Sequence, residues 1–157
     1  MNQTTFSVNK QNLEVVIERV FNAPKELIWK VISDPNMIPK WWGPAQFETV
    51  VEKMDFRVGG QWRFIHKNGT QEYAFHGVYK EIVPLEKVTD TFNFEPIGPG
   101  HEMVETMTLA DLGDGTTKVT TVSKFQNIAD LEGMVGSDME SGARQTWERL
   151  AKLVEHQ

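Results

Sequence analysis

The C-terminal end of the chain carries one long helical pattern, and this pattern follows a run of predicted strands. Apolar or small residues recur every three or four positions from Ile128 to Leu153, which is the spacing of one helix face. Gly133 and Gly136 lie inside this stretch, and each costs about 1 kcal/mol relative to Ala within a helix. We therefore predict a break there and a continuous helix from near Ser137. Such a helix must bury its apolar face against another layer of the fold.

The middle of the chain is typical of strands joined by tight turns. Asn68-Gly69 and Gly113-Asp114-Gly115 favour the positive φ angles of hairpin turns. Short connections of this kind indicate an antiparallel meander. The predicted strands lie near residues 46–53, 60–66, 72–82, 86–94, 101–110 and 116–125.

The N-terminal part predicts one more strand and two short helices. Residues 12–21 are rich in β-branched side chains and roughly alternate, which favours a half-buried strand. Prolines and glycines then limit the helices to about 24–33 and 36–42, and the polar residues 1–11 are expected to be flexible. The whole chain is predicted as one α+β domain, with an antiparallel sheet of about seven strands curled around the long C-terminal helix.

The charge pattern excludes several classes of partner. Sixteen Lys and Arg against 22 Asp and Glu give a formal net charge of -6, and the two signs are interspersed, so no basic surface favours nucleic acid. No apolar run approaches the ~20 residues that span a bilayer, and the N-terminus lacks the apolar core of a signal peptide. We expect a cytoplasmic protein with no nucleic-acid or membrane partner.

The sequence also excludes several kinds of metal site and cofactor. The chain has no Cys, which excludes disulfides, thiol catalysis and Cys-ligated metal sites. His66 and His76 lie on adjacent predicted strands, but alternation puts them on opposite faces, which argues against a shared metal ion. No Walker loop or dinucleotide fingerprint occurs. We predict neither a metal site nor a cofactor.

Aromatic residues and methionines are the main compositional feature, with five Trp, nine Phe, two Tyr and seven Met. Because side chains alternate along a strand, many of them fall on the face that would meet the C-terminal helix. Such a face suits a pocket for a hydrophobic, ring-containing ligand; alternatively, it is simply core. The residues that we predict to line a pocket are Trp42, Trp62, Phe64, His66, Tyr73, Phe75, Phe92, Phe94, Met103, Met107, Met139 and Trp147.

A few polar residues fall on or near this face. His66 and Tyr73 are the candidates for proton transfer, because a His inside a pocket can exchange a proton near neutral pH; a hydrogen-bonded structural His is the alternative. Glu105 is predicted on the inner face, where an unpaired carboxylate would be costly, so either it pairs or the register differs. For Asp90 and Arg63 we favour a surface position.

Several short motifs, taken in order along the chain, resemble a known protein family. They are Val20-Phe21-Asn22-Ala23-Pro24, Trp29, Asp34-Pro35, Trp41-Trp42-Gly43-Pro44, the stretch from Asp55 to Phe64, and Met139-Glu140-Ser141-Gly142 with Arg149-Leu150. From about Leu13 to Val154 the chain is similar to the family named after the C-terminal domain of the activator of the heat-shock protein 90 ATPase, within the START-like and birch-pollen-allergen superfamily. The resemblance implies the helix-grip fold, in which a curved antiparallel sheet wraps a long C-terminal helix and leaves a cavity between them.

The resemblance does not imply one activity, because this superfamily includes ligand carriers, cyclases and a cochaperone domain. We expect binding of a small hydrophobic or aromatic molecule between sheet and helix, without catalysis. One alternative is a cyclase- or dehydratase-type enzyme that acts on a polyketide-like substrate through His66 or Tyr73. Another is a protein-interaction module, although the cochaperone's separate N-terminal domain has no counterpart here, which puts a chaperone partner in doubt. The sequence leaves a homodimer open.

Overall fold

The computed structural model describes residues 3–155, which form one eight-stranded antiparallel sheet and four α-helices. The strands are β1 (Thr5–Asn9), β2 (Glu14–Phe21), β3 (Glu48–Met54), β4 (Gln61–Asn68), β5 (Gln71–Val83), β6 (Lys87–Phe94), β7 (Met103–Gly113) and β8 (Thr116–Lys124). The helices are α1 (Lys25–Ser33), α2 (Ile38–Trp41), α3 (Ile128–Gly136) and α4 (Met139–Glu155), and a 3-10 turn covers Glu95–Ile97. The predicted α+β class is confirmed.

Strands β3 to β8 follow one another as a meander, and β2 pairs with β8. The spatial order is β1-β2-β8-β7-β6-β5-β4-β3, so β1 and β3 are the two edges. The hairpin turns fall where the turn residues predict them, and Gly69 and Gly113 have φ angles of 62° and 85°. Bulges shift the register within β3, β5 and β7. Because a bulge bends its strand and increases the local twist, these bulges favour a sheet that curves around a helix.

Helix α4 buries one apolar face against the rest of the protein. Its buried residues are Trp147, Leu150, Ala151 and Val154. The ring of Trp147 lies 5.8 Å from the ring of Phe21 at the end of β2. The predicted interruption of the C-terminal helical pattern is confirmed, because α3 and α4 are separate and Asp138 between them has a φ of 67°.

The two short helices connect β2 with β3 and pack beside α4. Ile28, Val31 and Ile32 of α1 are buried, and α2 contacts both α4 and β3. Arg149 of α4 donates a hydrogen bond of 2.6 Å from Nη1 to the carbonyl oxygen of Gly43, just after α2. This bond fixes the Trp-Trp-Gly-Pro segment to the C-terminal helix.

The N-terminal segment departs from the prediction. Residues 1–11 are expected to be flexible, but Thr5–Asn9 forms β1 and pairs with β2, with Phe6 opposite Ile17. Phe6 packs against the core, so apolar contact and strand pairing together hold this segment at the sheet edge. Residues 1 and 2 lie outside the described part. Within residues 3–155, no helix is long and apolar enough to cross a membrane.

Candidate functional site

Four polar residues form a row across the inner face of the sheet, which is the face toward the helices. Tyr79 on β5 is opposite Asp90 on β6, Asp90 is opposite Glu105 on β7, and Glu105 is opposite Ser123 on β8. Residues directly opposite each other in an antiparallel pair point to the same side, with Cβ atoms about 4.5–5.5 Å apart. The two carboxyl side chains are therefore neighbours on the buried side of the sheet.

A pocket of about 80 Å³ opens over this row, between the sheet and the two short helices. We call it the acid pocket. Its lining residues are Ile32, Ile38, Trp41, Trp42, Met54, Phe56, Phe64, Tyr79, Val88, Asp90, Glu105 and Met107. Apart from the two carboxyls and the phenol, its walls are apolar and largely aromatic.

The two carboxyls of the acid pocket have no cationic partner. Within residues 3–155, neither of them takes part in an ion pair. Ser123 Oγ donates a long hydrogen bond of 3.4 Å to Glu105 Oε2. Burial raises the pKa of both carboxyls, and the charge of Glu105 raises the pKa of Asp90 further. Two buried carboxyls this close resist ionising together, so the pair retains a proton more readily than isolated carboxyls do.

Tyr79 and Trp62 complete the polar surroundings of Asp90. Burial raises the pKa of Tyr79, and the negative charge of Asp90 raises it further, so the phenol stays protonated. The indole N–H of Trp62 favours the ionised form of Asp90, although it forms no hydrogen bond of normal geometry. This nitrogen lies over Gly77, where an added Cβ would come within 2.7 Å of it. The same Cβ would lie 1.8 Å from the backbone carbonyl oxygen of Thr91, so a larger residue at position 77 would clash with β6 as well as with the indole.

Beside the acid pocket, aromatic side chains fill the inner face of β4, β5 and β6. The ring of Trp42 lies 5.0 Å from Phe64, 5.1 Å from Phe75 and 4.9 Å from His66, measured between ring centroids. These distances are in the range at which aromatic pairs attract each other. We call this set the aromatic cluster, and its members are Trp42, Phe47, Trp62, Phe64, His66, Tyr73, Phe75, Phe92 and Phe94.

His66 is buried within the aromatic cluster, with 6% of its surface exposed. Burial and, to a smaller extent, the positive charge of Arg149 lower the pKa of His66 to about 4. Its ring stacks on Phe47 at 5.2 Å, and its Nε2 has no hydrogen-bond partner. A Cβ at Gly43 would lie 2.3 Å from this nitrogen, so the backbone of the Trp-Trp-Gly-Pro segment packs directly on the imidazole. His66 is therefore neutral at pH 7.

The residues predicted to line a pocket divide among the acid pocket, the aromatic cluster and the core. Trp42, Phe64 and Met107 line the acid pocket. Trp62, His66, Tyr73, Phe75, Phe92 and Phe94 pack in the aromatic cluster, Met103 and Trp147 are buried in the core, and Met139 packs against that core from the start of α4. The proton-transfer candidates His66 and Tyr73 lie outside the lining of the acid pocket.

The pairing of the Asp90 and Glu105 carboxyls is the part of the site that the sequence did not predict. The prediction of a surface position for Asp90 is wrong, because its side chain lines the acid pocket on the inner face. The register assumed for Glu105 is correct, but its neighbour is a second carboxyl rather than a cation. The alternation of side chains along the strands does indicate an inward position for both carboxyls, because Asp90 falls on the same face as Phe92, and Glu105 on the same face as Met107. The sequence-based prediction nevertheless favours a surface position for Asp90, because burying a carboxylate is costly.

Two wider depressions on the outer face are lined mainly by polar residues. One, of about 450 Å³, includes Arg63 and Glu95, and the other, of about 670 Å³, includes His76 and Glu102. Arg63 lies on the surface as predicted and donates two hydrogen bonds of 2.8 Å to Glu95, which lowers the pKa of Glu95 to about 2. These charges compensate one another, unlike those of the acid pocket. No group of three or more potential metal ligands occurs within residues 3–155.

The fold and the inner pocket together define the class of protein. An antiparallel sheet that covers a long C-terminal helix and carries a pocket on its inner face is the helix-grip arrangement of START-like proteins. Within this class, the chain belongs to the family described as Activator of Hsp90 ATPase homolog 1-like protein, whose model matches residues 22–155. The family resemblance seen in the sequence motifs is confirmed.

Solved structures agree with this fold. Protein CV1439 from Chromobacterium violaceum is 30% identical, with a TM-score of 0.81 over 91% of this chain and 97% of that one. A protein from Arthrobacter aurescens is 21% identical, with a TM-score of 0.89 over 98% and 92%. DynU16, described as a putative protein in the dynemicin biosynthetic locus, is 18% identical, with a TM-score of 0.67 over 91% of this chain and 47% of that one. No curated protein matches the chain.

Proposed function

We propose that the protein binds a small molecule in the acid pocket, with the apolar part of the ligand against the aromatic walls and one polar group at the carboxyl pair. The observation that carries this proposal is the pairing of Asp90 and Glu105 without a counter-charge at the base of an apolar pocket. Asp90 and Glu105 are half-buried, and carboxyls withdrawn from water without a counter-charge destabilise a fold unless something compensates them. Their retention at a pocket is characteristic of functional sites.

The volume of the acid pocket limits how large a bound ligand can be. At about 80 Å³ it is smaller than the roughly 300–1,000 Å³ of sites for drug-sized molecules. A dry cavity of about 150 Å³ accepts benzene, so the acid pocket suits a group of only a few nonhydrogen atoms. The proposal therefore keeps the sequence-based expectation of a small hydrophobic or aromatic ligand and limits it to a molecule of a few nonhydrogen atoms, or to the end group of a longer one.

Nuclear magnetic resonance can test binding directly. We expect small neutral fragments such as propan-1-ol to shift the indole N–H signals of Trp41 and Trp42, whose side chains line the pocket. Val88→Phe places a larger side chain in the lining and should abolish these shifts, whereas Val58→Phe, at a position that is 61% exposed, should leave them unchanged. Shifts confined to the outer face, or equal shifts in both variants, would contradict the proposal.

A second candidate function is proton transfer to or from a small carbonyl compound. The observation that favours it is a carboxyl pair with raised pKa values beside a protonated Tyr79 in an apolar pocket. This version of the enzyme hypothesis relies on Asp90, Glu105 and Tyr79 rather than on His66 or Tyr73. Incorporation of deuterium into butanone in heavy water would measure it, and Glu105→Gln should then remove the activity. Exchange no faster than in buffer would exclude this reaction for butanone.

The protein-interaction hypothesis has less support from the surface. It calls for an apolar patch outside the pocket. The large apolar side chains that are exposed within residues 3–155 are distributed over five separate segments, namely Val8, Val58, Ile97, Leu112 and Ile128. A pull-down with a purified heat-shock ATPase tests this alternative, and retention of the chain would support it.

A further inference from the structure

We propose that the occupant of the acid pocket is a small organic ammonium ion, with its cationic group between Asp90 and Glu105 and its short apolar chain against the aromatic walls. This inference rests on the proposed function and names the chemical class of its ligand. The proposed function is compatible with a neutral ligand, whereas this inference requires the ligand to carry a positive charge.

The charges that face the carboxyl pair are all negative or neutral. Tyr79 faces it from β5, Trp62 from β4 and Ser123 from β8. The lining from α1, α2 and the β3–β4 connection contributes only Ile32, Ile38, Trp41, Trp42, Met54 and Phe56. A cationic ligand would supply the counter-charge that residues 3–155 do not place there, whereas an anion would be repelled and a neutral molecule would leave the repulsion in place.

The walls of the acid pocket suit a cation as well as an apolar chain. Trp41, Trp42, Phe56, Phe64 and Tyr79 are all lining residues. The faces of aromatic rings attract ammonium groups, and this attraction is strongest where water is excluded. An apolar chain attached to the ammonium group gains by burial against the same rings. Carboxylates and aromatic faces together therefore select an alkylammonium ion over an inorganic cation.

Unsatisfied polar groups around the pocket give an independent indication of an occupant. Trp41 lines the pocket and is 5% exposed, and its indole N–H has no hydrogen-bond acceptor within residues 3–155. An ammonium group has no lone pair to accept from this donor, so the Trp41 N–H indicates an occupant without favouring a cation. The indole N–H of Trp62 is likewise without a full hydrogen bond and favours the ionised form of Asp90. Buried donors are rarely left unpaired. The donor of Trp62 therefore supports the fully ionised pair that a bound cation would stabilise.

Binding of the cation should displace a proton. Burial and mutual repulsion favour a proton shared between the two carboxyls; when the ammonium ion enters, that proton leaves to the buffer and both carboxylates remain ionised beside the cation. An alkylamine, like the Lys side chain, stays protonated up to about pH 10. While one proton is displaced per ligand bound, the affinity rises about tenfold for each unit of pH.

The experiment compares propylamine with propan-1-ol, which has the same number of nonhydrogen atoms and no charge. The dissociation constants are measured on the full chain by NMR at about pH 6, 7 and 8. We expect propylamine to bind at least about tenfold more tightly than propan-1-ol at pH 8, and its dissociation constant to fall as the pH rises, by about tenfold per unit while the free pair retains its proton. Propan-1-ol should show little dependence on pH.

Variants locate the effect. Asp90→Asn and Glu105→Gln should each weaken propylamine binding at least about tenfold at pH 8, while propan-1-ol binding is retained. Glu86→Gln, at an exposed position, serves as the control and should behave as the wild type. The amide spectra show whether each variant is folded. One folded carboxyl variant is enough for the test.

The outcomes separate this inference from the proposed function. If propan-1-ol binds at the pocket and propylamine binds no more tightly, the ammonium ligand is wrong and the pocket still binds small molecules. If propylamine binds without a pH dependence, or binds both carboxyl variants as tightly as it binds the wild type, the role assigned to the carboxyl pair is wrong. If neither compound binds at the pocket, the ammonium inference fails together with the proposed function.

Discussion

The inner face of the sheet contains two regions that share the same alternating sequence pattern. One of them is filled by side chains, and the other leaves a pocket. The aromatic cluster fills its space with interlocking rings, and its buried polar residue, His66, is held neutral. The acid pocket is left partly empty, and its polar residues are carboxyls without a counter-charge. Phe64 and Trp42 belong to both regions. The difference shows that inward-pointing residues become core or site according to whether their neighbours fill the space between them.

The two regions should also respond to pH in opposite directions. His66 has a lowered pKa, so the folded state loses stability as the pH falls and the unfolded chain takes up a proton at this residue. Asp90 and Glu105 have raised pKa values, so the folded state loses stability as the pH rises and the unfolded chain ionises first. Substitutions in each region should therefore change different parts of the pH profile of stability.

The largest effect is expected from Phe64→Ala, which removes a ring shared by both regions. Phe64 is 4% exposed, and loss of a buried Phe typically costs about 3–5 kcal/mol through lost burial and the cavity left behind. Urea unfolding measures the loss. Phe64→Leu retains most of the volume and should cost less than half as much. A small loss for Phe64→Ala would mean that the two regions are not mechanically connected through this ring.

The second prediction concerns the low-pH side of the stability profile. Since the pKa of His66 falls from 6.5 to about 4 on folding, the wild type should lose about 3 kcal/mol between pH 6.5 and pH 4 through this residue. His66→Gln removes the titrating group and should flatten that part of the profile. Thermal unfolding at several pH values measures the difference between the two proteins.

A non-titrating change in the same cluster gives the control. Phe75 contacts the His66 ring at 4.7 Å and carries no charge at any pH. Phe75→Leu should lower stability by a similar amount at every pH and leave the slope of the wild type intact. If Phe75→Leu flattened the profile as His66→Gln does, the slope would reflect packing rather than protonation of the imidazole.

The third prediction concerns the high-pH side. Asp90→Asn removes one of two carboxyls that resist ionising together, so it should stabilise the protein, and the gain should grow as the pH rises above about 4. We expect about 1–2 kcal/mol near pH 8, within the range of single substitutions. Glu86→Gln, at an exposed position, should not change with pH in this way. Loss of stability at pH 8 would show that the pair is not repulsive.

Local signals in the sequence predicted most of the fold. The turn at Gly69, the separation of α3 from α4 and the alternation that puts Trp62 and Phe64 inside all depend on neighbouring residues. Strand β1 was missed because its mostly exposed residues gain order by pairing with β2, which is a nonlocal effect. The acid pocket was missed for a similar reason. The open space over Asp90 depends on side chains from or next to α1, α2, β3, β4, β5 and β7, and no local pattern encodes that space.

The smallest effect is expected on the outer face of the same strands, where charges are paired. Arg63 binds Glu95 through two hydrogen bonds of 2.8 Å and Glu52 through one of 2.5 Å, with a third of its side chain exposed. Pairs of this kind contribute about 0.2–1 kcal/mol and are screened by salt. Arg63→Gln should therefore cost less than about 1 kcal/mol at pH 7. Since the pKa of Glu95 is about 2, that cost should shrink as the pH falls below about 4, and added salt should shrink it too. A cost that salt leaves unchanged would show that Arg63 acts through packing, and the contrast between compensated outer charges and uncompensated inner ones would then be weaker.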